Sequence, residues 1–162
     1  MGGCLLVLLA LVLWVAALLG QGGPYMVGLL VVSLVAVYMA MRRRKSRAAA
    51  AFEEQHGPGK DLLIVYSDSP HWQAYIESNW LSRWGHRAVV FNRSRPWSEQ
   101  QPEAQLWRAV AGTVEHTPVA IVIPRRGLPR VVRFFLAFRD FKHGKHRKLR
   151  DAEARLERLL GG

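Results

Sequence analysis

The chain has 162 residues, with 23 Lys and Arg against 12 Asp and Glu, and its net charge of +11 asks for an anionic partner. No charged side chain precedes Arg42, so the sequence joins two compositions suited to two solvents. Its one cysteine, Cys4, excludes an intramolecular disulfide, and the roughly one hundred residues after Lys60 suffice for one small domain but not two.

Residues 4–19 (CLLVLLALVLWVAALL) are uninterrupted apolar sequence, and residues 25–41 (YMVGLLVVSLVAVYMAM) are nearly so, with Ser33 as the strongly polar exception. Each approaches the ~20 residues of a bilayer-spanning helix, which predicts spans over residues 4–20 and 25–41. Gln21, Gly22, Gly23 and Pro24 leave room only for a tight antiparallel return. Residues 1–41 therefore read as a two-helix transmembrane hairpin. Arg42, Arg43, Arg44, Lys45 and Arg47 follow at once while the turn carries no cation, so the positive-inside rule places them in the cytoplasm. They are expected to lie at the membrane surface, each adding about 1 kcal/mol of attraction to anionic headgroups. The expected address is a plasma or inner membrane, multi-pass, with the C-terminal domain in the cytoplasm. A cleaved signal peptide is disfavoured, because residues 1–20 lack a basic leading segment and a small-x-small cleavage site.

Residues 42–60 read as a basic juxtamembrane linker closed by Gly57, Pro58 and Gly59. Lys60 after Gly59 is no phosphate-binding loop, since the glycine spacing and the following Ser or Thr are missing. In residues 61–162, continuous apolar runs of strand length at 62–66, 88–91 and 119–123 alternate with amphipathic stretches. Ser69 and Pro70 read as an N-cap and first helical residue, opening a helix with Trp72, Ile76, Trp80 and Trp84 on one side and Gly85 as its stop. Ser98 and Gln101 fit a capping box ahead of Leu106, Val110 and Val114. A third helix is predicted to carry Val131, Phe134, Phe135, Phe138 and Phe141, and a final amphipathic helix Leu149, Ala152, Leu156, Leu159 and Leu160. Strands apolar on both faces, alternating with helices, imply a parallel sheet with right-handed crossovers. The fold class is thus a membrane-anchored α/β protein: an N-terminal transmembrane hairpin followed by a small three-stranded parallel α/β sandwich.

Ligands of parallel α/β sheets bind beyond the carboxyl ends of the strands. Those positions hold Ser67, Asp68, Ser69 and His71, then Asn92, Arg93, Ser94 and Arg95, then Pro124, Arg125, Arg126 and Gly127. Guanidinium groups fork onto phosphate or carboxylate oxygens, and helix starts add free N–H groups. Arg93, Arg95, Arg125, Arg126 and Ser69 are accordingly the candidate anion-binding set. Ser67, Asp68 and His71 are triad residue types, but their crowding before a helix offers no orienting geometry and reads as capping. No catalytic residue is assigned. The six histidines lack Cys or carboxylate partners at ligand spacing, so neither metal nor cofactor is expected. The basic run from Arg139 to Arg150 follows phenylalanines at helical spacing, which assigns the rings to the core and the cations to a solvated or lipid-facing surface. Nucleic acid is therefore not the expected partner. The expected function is an integral membrane protein presenting a basic α/β module that binds membrane lipids, an anionic ligand or a protein partner. The alternative is a membrane-tethered enzyme acting on a phosphorylated or nucleotide substrate at the strand rim.

Overall fold

The computed structural model describes Trp14 and residues 23–112 and 116–161. The chain divides into two units, Met1–Arg44 and Lys45–Gly162. In the first, the chain is helical from Gly23, the start of α1 (Gly23–His56). The helix then runs on into Arg42, Arg43 and Arg44. Among the described residues no helix is long and apolar enough to cross a membrane. This corrects the transmembrane hairpin, the multi-pass address and the membrane-anchored reading of fold and function. The expected first span, residues 4–20, lies outside the described residues except for Trp14. Arg42, Arg43, Arg44 and Arg47 are exposed along α1, and Lys45 is half-buried.

The second unit is built on β1 (Leu62–Tyr66), β2 (Ala88–Asn92), β3 (Val119–Val122) and β4 (Arg130–Arg133), in the order β2-β1-β3-β4. The pairing of β1 with β2 is parallel, Leu62 facing Ala88 and Tyr66 facing Asn92. Its pairing with β3 is antiparallel, Leu62 facing Val122 and Val65 facing Val119, and β3 with β4 is antiparallel again. The sheet is thus four-stranded and mixed, which corrects the three-stranded parallel sandwich. The predicted third helix is divided: Val131 belongs to β4, and the helix begins four residues later. Val131 and Val132 are β-branched and follow Pro129, which favours extended chain. Gly127, at φ +101°, makes the turn between β3 and β4 in a backbone region that side chains rarely occupy.

Period-two alternation along β1 sends Leu63 and Val65 to one face and Leu62, Ile64 and Tyr66 to the other, all of them buried. Leu63 and Val65 pack with Ala48, Ala49 and Phe52 of α1 and with Leu106 and Trp107 of α4 (Pro102–Val110). The other face packs against α2 (Gln73–Tyr75), a π-helical turn (Ile76–Trp80), α3 (Leu81–Trp84), α5 (Phe135–Phe141) and α6 (Arg147–Leu160). The result is a three-layer α/β/α arrangement. Residues repeated at every fourth position drift by about 40° per step around an α-helix. The π turn offsets that drift, so Ile76, Trp80 and Trp84 all reach the core. α3 ends at Gly85, a position where a Cβ would collide with the Leu81 carbonyl.

The aromatic face carries polar handles that need partners. Glu153 of α6 accepts hydrogen bonds from Tyr75 Oη at 3.0 Å and Trp80 Nε1 at 2.7 Å, and Glu77 accepts from Tyr66 Oη at 3.1 Å. Burial, reinforced by these carboxylates, pushes both Tyr66 and Tyr75 up to about 12. The unfolded chain releases these protons near 10, so their stabilisation is complete below pH 10 and is lost as pH rises through 12. In urea titrations of the full chain, the midpoint should fall between pH 10 and 12. Tyr75→Phe should flatten that fall, and an unchanged slope in this variant would show that Tyr75 carries none of it.

Candidate functional site

Because β3 runs against β1, the carboxyl ends of β1, β2 and β4 share one rim with the start of β3. Backbone bonds stitch it together: Arg93 N–H donates to the Tyr66 carbonyl at 2.8 Å and Phe134 N–H to the Pro118 carbonyl at 3.0 Å. Arg93, Arg95 and Ser69 belong to this rim. Arg125 and Arg126 do not. They follow β3 at the opposite rim, where Ile123 N–H donates to the Asp61 carbonyl at 2.8 Å. The expected anion-binding set is therefore divided between the two ends of the sheet, because one strand is reversed.

At the first rim, the loop after β1 and the loop after β2 are clasped together. Asn92, only 8% exposed, donates from Nδ2 to Asp68 Oδ1 at 2.5 Å, and its Oδ1 accepts the Ser94 N–H at 2.9 Å. Ser94 Oγ in turn accepts the Asp68 N–H at 3.0 Å. Ser69 organises the turn: its carbonyl accepts from the N–H groups of Trp72 and Gln73 at 3.2 and 2.9 Å, and its own N–H donates to the Ser67 carbonyl at 2.7 Å. These loop amides are engaged within the turn, so an anion here must be held chiefly by side chains. Ser67 Oγ meets Thr117 Oγ1 at 3.5 Å, a hydroxyl pair that supplies no base.

The cations of this rim are differently placed. The Arg93 guanidinium lies 4.6 Å from the Trp107 ring centroid, half-buried, with Nε inaccessible to solvent. Stacking of this kind fixes the guanidinium plane and leaves its outer N–H groups for a ligand. Arg95 is exposed and close enough to lower the Tyr66 pKa slightly. Beyond β4, α5 presents Phe135, Phe138, Arg139 and Lys142 along one side, and with His71 and Trp72 they line a slot of about 230 Å³. The spacing i, i+3, i+4, i+7 of the α5 residues was legible in the sequence. Assigning all the phenylalanines to the core concealed the slot: Phe134 and Phe138 are buried, but Phe135 and Phe141 are only half-buried. The acids nearby are engaged. Asp140 binds Lys148 at 2.6 Å, a contact that holds its carboxyl below the usual range, and Glu77 binds Tyr66 and Gln73.

The opposite rim has a polar cleft of about 350 Å³ whose lining includes Glu53, Asp61, His86, Arg87 and Arg125. Its charges mostly serve the fold. Lys60 Nζ donates to the carbonyls of Gly85, His86 and Ala88 at 3.3, 3.0 and 3.2 Å. Arg87 forks onto Asp61, with Nε to Oδ1 at 2.8 Å, and reaches the Leu160 carbonyl at 3.1 Å. The Asp61 hydrogen bond raises the Arg87 pKa further. Among the described residues no group of three or more His, Cys, Asp or Glu could hold a metal ion.

Asn92→Ala removes one of the two side-chain links between the rim loops and leaves Asp68 without its side-chain donor. Stability should fall by about 1–2 kcal/mol, and the Asp68 and Ser94 amides should exchange faster. Unchanged exchange at both amides would show that the clasp does not order the rim. Comparisons with family models, curated proteins and solved structures find no match to this chain.

Proposed function

We propose that the Lys45–Gly162 unit is a binding module for a small anionic ligand, a phosphate or carboxylate, at the carboxyl rim of β1, β2 and β4. One observation carries this reading. The rim's described carboxylates, Asp68, Glu77 and Asp140, are each already engaged by a donor from the protein, whereas Arg93, Arg95 and Lys142 face no carboxylate among the described residues. Arg139 has only a distant contact, 3.9 Å to Asp140. An anion arriving here meets cations without displacing an ion partner, and it approaches a chain of net charge +11 whose long-range field attracts it. The stacked Arg93 and the clasped loops are preorganised, which limits the ordering that binding must impose.

The test is an NMR titration of the full chain with inorganic phosphate at low ionic strength. Shifts should concentrate at Ser67–Ser69, Arg93–Arg95 and α5. Replacing Arg93, Arg95, Arg139 and Lys142 together with Ala should weaken binding at least tenfold, since a hydrogen bond to a charged group contributes about 1.5–3 kcal/mol. Arg125→Ala with Arg126→Ala should change it less than about twofold, these residues lying at the other rim, and added salt should weaken the wild type. Equal losses in the two sets of variants, or no binding at all, would contradict the proposal.

A further inference from the structure

The slot beside α5 narrows the ligand to one chemical class, and this step rests on the anion-binding reading of the rim. Its wall is largely apolar: Trp72, directly ahead of α2, and Phe135 at the head of α5, backed by the fully buried Phe138. The rings touch obliquely, Trp72 to Phe135 at 6.2 Å and 67° and Trp72 to Phe138 at 6.4 Å and 55°, so they brace one another into one aromatic wall. His116 stacks on Phe135 at 4.8 Å and 26°, holding that wall in place. The Trp72 indole N–H is committed to the Ser67 carbonyl at 3.0 Å, which fixes the ring and removes its polar edge from competition. Apolar walls of this kind do not hold water well, since water needs two to four polar partners.

Its lining also contains Arg139, Lys142 and His71, and no carboxylate. Asp140, the neighbouring acid, is bound by Lys148. Size then selects the occupant. An apolar cavity of about 150 Å³ takes up benzene, whereas pockets for larger organic ligands occupy roughly 300–1,000 Å³. A slot of about 230 Å³ lies between the two. It accommodates a single ring with a short link to a head group.

We infer that the slot binds a monocyclic aromatic anion, its ring laid against the accessible sides of Trp72 and Phe135 and its carboxylate or phosphate on Arg139 and Lys142. The aromatic quadrupoles favour an aryl body in edge-to-face contact, and the two cations set its direction. The remaining rim cations attract the ligand without touching the ring.

The experiment compares phenyl phosphate with inorganic phosphate on the full chain, by calorimetry and by ligand-observed NMR. Phenyl phosphate should bind at least tenfold more tightly, with contacts from its ring protons to Trp72 and Phe135. Phe135→Ala should weaken phenyl phosphate about tenfold and inorganic phosphate less than twofold. Arg139→Ala with Lys142→Ala, exposed positions whose loss leaves the core intact, should also weaken phenyl phosphate about tenfold. Equal affinity for the two probes, or ring contacts elsewhere, would overturn the slot while leaving the anion-binding rim standing. Failure of both probes to bind would overturn both.

Discussion

The position of β1 is the constraint on which the rest of this unit depends. All five of its residues are buried, and it pairs in parallel with β2 on one side and antiparallel with β3 on the other. A strand so placed must have both faces covered, which requires Phe52 and Trp107 on one side and Ile76, Trp80, Phe134 and Phe138 on the other. The reversal of β3 also fixes the two rims. It makes β4 parallel to β1, brings α5 to the same end as the loops after β1 and β2, and sends Arg125 and Arg126 to the far end. The aromatic slot exists because α5 starts where Trp72 is already held.

The charged residues divide by the same geometry. At the far rim, Lys60 satisfies three carbonyls where α3 gives way to β2, and Arg87 joins Asp61 to the last residues of α6. Between layers, Glu153 collects the polar tips of Tyr75 and Trp80, so the amphipathic α6 is held by directed bonds as well as by Leu149 and Leu156. His56, ending α1, meets Glu103 in the first turn of α4 at 2.8 Å, a position where the helix dipole also favours the acid. At the near rim the pattern changes: Asp68, Glu77 and Asp140 are engaged by donors, while Arg93 stacks on Trp107 and Arg95 is exposed. That contrast, more than the total charge, is what supports the proposal of an anion site at this rim.

Much of this was legible in the residues. The strands beginning at Leu62, Ala88 and Val119, the stop at Gly85 and the amphipathic α6 follow from apolar runs, a glycine and helical periodicity. Strand direction did not, because a continuous run such as Val119–Val122 is equally apolar read either way. It reports burial on both faces and is silent on polarity. Val131 was concealed for a related reason: its spacing to Phe134, Phe135 and Phe138 fits a helix, while its pairing with Ile121 across the sheet is a long-range contact. The near-rim arginines Arg93 and Arg95 were identifiable from the strand-end rule, but their company was not, since Arg139 and Lys142 arrive only through the unforeseen β4. The apolar stretch before Arg42 was read as spanning by length and composition, whereas among the described residues no helix is long and apolar enough to cross a membrane.

The reversed pairing of β1 and β3 is tested most directly by cross-strand contacts between Hα protons in the full, isotope-labelled chain. Antiparallel neighbours bring alternate facing Cα atoms to about 4.5 Å, close enough for strong Hα–Hα effects. Such contacts are expected within the register that sets Leu63 against Ile121 and Val65 against Val119. A parallel pattern, with Leu62 near Val119 and no Hα–Hα contacts between the two strands, would contradict it. It would also return Arg125 and Arg126 to the rim of Arg93 and Arg95.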